Sequence, residues 1–381
     1  MTEKIRIALF IRGFHDGGIE KVFETYFTHM DLSPFEIHVI THMPNIPEKK
    51  KKFENMGCVI HELSKVHGHK LNRKNFSEYR KLFSLVRFDI VHNNMPENLL
   101  PLLYARKYKI PVRILHAHNN YTEGYDKKNP LVRKLFLMGF ALNTKNATQL
   151  VAVSNVAAES AFAERSRETL ILKNAVDLDK FAFNQDARRE IRKKLSIADQ
   201  EVLFGHIGRY ENNQKNQEFV LNLFKVIADT HNHCKLVMIG DGARRGEFME
   251  MANSLGISDK VNFTGTISNV NAYLSAMDIY LFPSRKEGLG IAGVEAQASG
   301  LRCIFSDKIP EEANITEEVV VLGIEGEQAV LEWAAEIKKM LPLVLLRGTA
   351  ERRAAVEQVR EAGFGIYTQV TALNKLYRGI I

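Results

Sequence analysis

Short apolar runs of strand length alternate with helix-length segments along almost the whole of this 381-residue chain. Strands are predicted near residues 4–11, 35–42, 58–63, 88–92, 112–117, 149–153 and 169–173, with helices between most of them. A second series begins near 201 and continues at 235–240, 260–264, 278–282, 301–305 and 318–322. Such a βαβα rhythm implies parallel sheets covered on both faces by helices. Residues 174–200 break the rhythm with a polar, charged stretch that holds one short helix, DARREIRKKL, and no core strand. The chain also exceeds the size at which single cores stop growing, so two domains are expected, with a boundary in that stretch. Residues 325–381 read as helix-rich.

Composition narrows the class. Hydrophobic residues at 45% and charged residues at 25% are ordinary globular values and argue against disorder. No 18-residue apolar run occurs, so no transmembrane helix is expected. The early run IALFI is too short, and too soon interrupted by Arg12, to be the core of a signal peptide. Cys58, Cys234 and Cys303 are odd in number and far apart, which fits neither a disulfide framework nor a zinc pattern. A reduced, cytoplasmic protein is the expectation.

Charge is unevenly spread. Residues 1–175 carry 27 basic and 17 acidic side chains, a net of +10, whereas residues 176–381 carry 25 and 28, a net of −3. A basic half suggests an anionic partner: nucleic acid, a phospholipid surface or a pyrophosphate-linked acceptor. Excess lysine that merely solubilises the protein is the plain alternative. No zinc-finger spacing or RNP-type aromatic motif accompanies the charge, so no nucleic-acid partner is expected. Peripheral contact with an anionic membrane fits better. The run KKKK at 49–52 reads as a surface loop.

The segment richest in chemistry is EGLGIAGVE, residues 287–295, between the apolar run DIYLFP and the small-residue stretch AGVEAQASG. That order reads as strand, loop and helix. Glu287 precedes Gly288, Leu289 and Gly290, whose backbone N–H groups open the helix, where unpaired donors and partial positive charge favour a phosphate. Glu295 follows about one and a half turns later and reaches the same pocket from the side. About eighty residues upstream, EVLFGHIGRYENNQKNQEF (201–219) runs from a strand into a loop carrying Arg209 and Lys215. Each cation taken alone reads as a solvated surface charge. Gly208, directly before Arg209, lets the chain turn at the strand's carboxyl end, where open α/β sheets bind ligands. Two cations there can neutralise a diphosphate.

Together these segments resemble the GT-B glycosyltransferases of the large retaining family 4, which carry a G-R…K motif and an E-x7-E motif in this order. KIRIALFIRGFHDGGIEKVFETYF (4–27), with Gly17, Gly18 and Glu20, is similar to the family's first unit. FDIVHNN, RILHAHNN, LVAVSN and LILKNAVD look like its further N-terminal strands. Ala175 departs from the glycine usual after Asn174. The subgroup most resembled builds bacterial capsular polysaccharides and exopolysaccharides. The resemblance implies two Rossmann-like domains with parallel sheets facing across a cleft: residues 1–175 on the acceptor side, 176–360 binding the nucleotide sugar, and a helix within 361–381 crossing back. It implies retaining transfer of a hexose or N-acetylhexosamine from a nucleoside diphosphate donor, UDP foremost, to a saccharide acceptor that is lipid-linked. Arg209 and Lys215 stabilise the leaving diphosphate, Glu287 takes sugar hydroxyls, Glu295 takes the ribose, and the base lies against Ile267 to Val270. His118 assists at the sugar, with His116 as the alternate. Neither a metal nor a cofactor is implied, and no carboxylate is assigned as nucleophile or general base.

Other residues admit two readings. His116 and His118 sit two apart at a strand end and so share a face; a structural hydrogen-bonding role competes with the functional one. No nearby Cys or acidic third ligand supports zinc. Gly17 and Gly18 do not make G-x-G-x-x-G; they serve either a tight strand-to-helix turn or close approach to substrate. Gly240 and Gly242 are read as structural. Ser268 is expected to cap a helix. NPLVRKLFLMGFALN (129–143), opened by Asn129 and Pro130, is read as a core helix, with membrane contact as the alternative. Two further functions stay open on these residues: a nucleotide-sugar epimerase on the same fold, and a non-catalytic nucleotide-sugar-binding protein.

Overall fold

The structure is a computed structural model that describes residues 3–14, 18–64, 73–121, 130–346 and 348–379. The chain forms two compact units, one of Met1–Ala175 with Ile366–Ile381 and one of Val176–Gly365. Each builds its own parallel sheet. The first contains β1 (Ile5–Phe10), β2 (Phe35–Thr41), β3 (Val59–Glu62), β4 (Ile90–Asn93), β5 (Val112–Ala117), β6 (Gln149–Ala152) and β7 (Leu170–Ile171), in the order β3-β2-β1-β4-β5-β6-β7. The second contains β8 (Val202–Ile207), β9 (Cys234–Ile239), β10 (Val261–Gly265), β11 (Ile279–Phe282), β12 (Arg302–Ser306) and β13 (Val319–Leu322), in the order β10-β9-β8-β11-β12-β13. Every strand anticipated from the apolar runs is present.

In the first unit the helix Ile19–His29 turns Phe23, Tyr26 and Phe27 inward, the i, i+3, i+4 spacing of a single helical face. The final helix, Ile366–Tyr377, follows the same rule with Ile366, Val370, Leu373 and Tyr377, and these side chains join the same core as β1 and β2. Burying a large apolar side chain of this kind contributes roughly 1.5–3 kcal/mol. The Tyr26 hydroxyl donates to the Lys173 carbonyl at 2.8 Å, so its polar tip is not left bare in the core. Ala175 is not among the residues of positive φ, so the position asks for no glycine.

The second unit centres on Trp333, fully buried, whose ring meets Phe219 edge-on and whose Nε1 donates to Gly323 at 2.8 Å. The helix Gln185–Lys194 lies in the stretch read from sequence as a polar connection. It is held by charge: Asp278, at the foot of β11, receives Arg188 at 2.6 Å, Arg192 at 3.0 Å and the Leu203 amide at 2.8 Å. Arg352 is likewise buried. It donates to the carbonyls of Leu274, Ser275, Met277 and Ser299, answering the unpaired acceptors and negative poles at two helix ends. The helix after β10 begins one residue later than expected, at Val270, with Asn269 rather than Ser268 at the cap position. All three cysteines are free and buried. Among the described residues no helix is long and apolar enough to cross a membrane.

Several histidines sit deep in the two units. Burial pushes His92 and His118 down to about 3 and His116 well below its ordinary value, with neighbouring imidazoles adding to the fall for His92 and His116. Burial takes His206 to about 4 against the hydrogen bond to Leu281, which opposes it. The folded chain holds these rings neutral while the unfolded chain protonates them near pH 6.5. Their contribution is therefore intact above that value and is lost as pH falls toward the folded values, at about 1.4 kcal/mol per pH unit for each ring. The thermal midpoint should decline from about pH 6 downward, above the range where carboxylates protonate. Calorimetry between pH 7 and pH 5 checks this, and an unchanged midpoint would contradict it.

Candidate active site

In the order of the second sheet, numbering reverses between β8 and β11. Open parallel sheets leave a crevice at the carboxyl ends of the strands on either side of such a reversal. Arg209 and Lys215 follow β8, and Glu287 follows β11, so the sequence motifs arrive at that crevice.

Backbone crowding sets the geometry there. A Cβ on Gly240, where φ is +141°, would stand 1.9 Å from the Gly208 carbonyl oxygen, and one on Gly208 would stand 2.8 Å from the Lys215 side chain. Only glycine lets the turns after β8 and β9 close on each other. The structural reading of Gly240 and Gly242 therefore agrees with their backbones. The loop after β8 is then stitched to the loop after β11. Gln214 donates to the Lys286 carbonyl at 2.8 Å and accepts from the Arg285 amide at 2.8 Å. Asn216, in the left-handed region, donates to the Pro283 carbonyl at 3.2 Å and accepts from the Arg285 guanidinium at 3.2 Å.

These bonds bring Lys215 Nζ to 2.6 Å from Glu287 Oε1, with only 19% and 9% of the two side chains exposed. The ammonium also stands 5.4 Å from the centre of the Phe282 ring. Arg209 is different. It is 56% exposed and has Glu211 at 3.6 Å, a loose surface contact of small energetic weight. Gln217, fully buried, donates to the Arg209 carbonyl at 3.0 Å and so fixes the arginine's backbone.

Beyond Glu287 the chain passes Gly288 and the buried Leu289 to Gly290, whose φ of +88° opens the helix Ile291–Ala298. Gly293 lets that helix lie against the sheet, since a Cβ there would be 2.6 Å from the Phe305 ring. Glu295 is buried in the second turn. The Gly293 amide is bonded to the Gly290 carbonyl at 2.8 Å, and the amides before it precede any acceptor within a helix, so cations, carboxylates and backbone donors collect on one unit. Ile267 is half-buried and Val270 starts the next helix; both lie beyond the carboxyl end of β10.

His116, His118 and Gly18 belong to the first unit. His118 follows β5 and is half-buried. Its ring centre is 3.9 Å from that of His116, so the two share a face as their spacing requires. Asn94, just past β4, donates through Nδ2 to the Phe10 carbonyl at 3.1 Å, which turns its Oδ1 to His118 Nε2 at 2.8 Å. Nε2 must then carry the ring proton, leaving the Nδ1 lone pair as an acceptor. His116 instead faces inward, its Nδ1 3.1 Å from His92 Nε2, with His92 Nδ1 2.8 Å from the Tyr377 hydroxyl. His116 Nε2 is buried as well and has no partner among the described residues. Gly18 has φ −95°, and among the described residues no atom lies within 4 Å of where its Cβ would stand. The backbone at Gly18 therefore gives the tight-turn reading no support. Gly17 lies outside the described residues, as does Asn129.

Sequence reasoning did not single out Asn94, Asn216, Gln217 or His206. His206, fully buried on β8, is 2.9 Å from the Leu281 carbonyl through Nδ1 and has no partner for Nε2 among the described residues. Asn216 was detectable as an Asn directly before a helix. Nothing in local pattern marks the other three.

Two family models match the chain: "Glycosyl transferases group 1" over residues 187–345 and "Glycosyltransferase Family 4" over residues 16–180. The chain is 27% identical to the putative glycosyltransferase EpsF of Bacillus subtilis, across 98% of this chain and 96% of that one. It is 26% identical to the Escherichia coli UDP-Gal:alpha-D-GlcNAc-diphosphoundecaprenol alpha-1,3-galactosyltransferase, across 60% of each. Among solved structures, Anabaena HepE in complex with UDP and glucose superposes with a TM-score of 0.80 at 14% identity, covering 98% of this chain and 100% of that one. With two parallel Rossmann-like sheets and both models matched in order, the chain belongs to the GT-B glycosyltransferases of family 4.

Proposed function

We propose that this enzyme moves a hexose or N-acetylhexosamine, with retention of configuration, from a UDP-linked donor to a lipid-linked saccharide during synthesis of a bacterial surface polysaccharide. The observation that carries the reading is the Lys215–Glu287 pair at the reversal of the second sheet, beside a helix opened by Gly290. UDP as the carrier is supported by the complex of the structurally similar HepE. A lipid-linked acceptor is supported by the name of the E. coli relative.

In this reading Arg209, Lys215 and the amides of Leu289 and Gly290 receive the diphosphate. Their interaction strengthens as the departing group gains charge, which is where electrostatics contributes most to rate. Glu287 accepts from sugar hydroxyls, Glu295 from the ribose, and backbone groups of Ile267 to Val270 hold the base. His118 offers its Nδ1 lone pair to a sugar hydroxyl. No side chain is assigned as general base or nucleophile.

Lys215→Ala and Arg209→Ala should lower turnover more than donor affinity, by roughly two to three orders of magnitude if each resembles a lost oxyanion donor. Glu295→Ala should chiefly raise the Michaelis constant for donor. Donor kinetics on folded variants is the measurement; wild-type turnover in both cation variants defeats the assignment of the diphosphate site.

Because an arginine and a lysine supply the positive charge, turnover is expected to persist in EDTA. Complete loss on chelation, with recovery on adding manganese, would place the charge compensation on a metal.

The basic first unit is assigned to an anionic membrane surface. Its helix Pro130–Asn146 buries Phe140, as the core reading requires, and also has an exposed face. Asn143 is buried, donating to the carbonyls of Pro96 and Asn98, while Leu137, Met138 and Leu142 are each about half exposed beside the exposed Lys134 and Lys145. An apolar stripe flanked by lysines suits the headgroup boundary. In sedimentation with liposomes, binding should favour anionic over neutral vesicles and weaken with salt; equal partition to both would count against it.

A further inference from the structure

Lys215 and Glu287 are assigned above to different parts of one donor, yet they are bonded to each other at 2.6 Å. The contact is not an accident of two long side chains. Gln214, Asn216 and Arg285 tie the two loops together on either side of it, and only 9% of the carboxylate side chain is exposed. A carboxylate this close offsets much of the ammonium charge felt by a third group, and it repels any anion brought alongside. At such burial, salt and water screen neither effect fully. Phe282 offers the ammonium a ring face, and the nearby His206 is neutral.

A bare nucleoside diphosphate arriving at this place meets a cation that is already half-compensated. A diphosphate still carrying its sugar brings hydroxyl groups that donate to Glu287 and take up its lone pairs. Lys215 is then left to the phosphates. We propose that Glu287, acting through Lys215, makes the site hold the sugar-bearing donor in preference to the diphosphate product, so that departure of the sugar loosens the product. The step exchanges hydrogen bonds and neither forms nor breaks a covalent bond. The inference rests on the donor-site reading above and adds to it: the charge of Glu287 is a means of product release as well as a hydroxyl acceptor.

The test is calorimetric titration of UDP, GDP and ADP, and of UDP-glucose, into wild type, Glu287→Gln, Lys215→Met and the double variant. Removing the carboxylate charge should tighten binding of whichever diphosphate wild type binds by about tenfold, the scale of one charge-assisted hydrogen bond. Binding of UDP-glucose should gain less or weaken, so the preference for sugar-bearing over bare diphosphate falls. In the Lys215→Met background the gain should vanish, because the lysine is what Glu287→Gln sets free. Unchanged or weaker diphosphate binding in Glu287→Gln overturns the proposal, as does a gain that persists without Lys215. Should wild type bind none of the three diphosphates, the donor-site reading falls and this proposal with it; binding by wild type with no gain overturns this proposal alone. Thermal midpoints confirm folding, and Glu287→Ser carries the same comparison if the glutamine variant does not fold.

Discussion

The second unit depends on one close approach. The turn after β9 can rest against the turn after β8 only because Gly240 and Gly208 have no side chain to separate them. With those turns in contact, the Gly208 amide reaches Ile239 at 3.0 Å and the Tyr210 amide reaches Asp241 at 2.8 Å. The loop that follows is thereby aimed at the end of β11. The loop bonds made by Gln214 and Asn216 then fix Lys215 against Glu287. A partly buried ion pair is weak evidence for stability, since desolvation offsets much of its attraction. Its value here is positional, holding a cation and a carboxylate in one place on a rigid sheet edge.

The two cations illustrate opposite solutions. Lys215 is sheltered, short of freedom and already paired. Arg209 is exposed and pairs only loosely, yet its backbone is pinned by Gln217. In the proposed donor site, an exposed guanidinium on a fixed backbone keeps more rotamer freedom to meet a diphosphate than a buried ammonium does. A buried ammonium cannot move far and responds instead through its partner's charge. Loss of either should thus have different consequences beyond turnover, because only Lys215 carries the coupling to Glu287.

Much of this was legible in the chain. Val, Ile and Leu runs of strand length gave all thirteen strands within a residue or two, because parallel strands buried on both faces leave an unbroken apolar signature. Gly208-Arg209, Lys215 and the EGLG turn marked the carboxyl ends of two strands, and there the structure brings Lys215 to 2.6 Å from Glu287. What escaped were contacts between segments distant in sequence. Asp278 with Arg188 and Arg192 turns an apparently polar connection into an anchored helix, and no local pattern encodes a partner some ninety residues away. Gln217 and Asn94 act through single amide bonds to backbone carbonyls, and an Asn or Gln that does so looks in sequence like any other.

Asn94 shows how such a residue fixes the state of a neighbouring ring. An imidazole held neutral has two forms, which differ in the nitrogen that keeps its lone pair. The Phe10 carbonyl can only accept, so it orients the Asn94 amide; the amide oxygen can only accept, so it orients the His118 proton. The tautomer of His118 is thus decided by the carboxyl end of β1, two strands from its own, through two hydrogen bonds of 3.1 and 2.8 Å. His116, two residues earlier and on β5 itself, is committed to His92, and through it to the Tyr377 hydroxyl on the last helix. Position along a strand brings a histidine to the carboxyl end of the sheet; the acceptor opposite it fixes which ring nitrogen carries the proton.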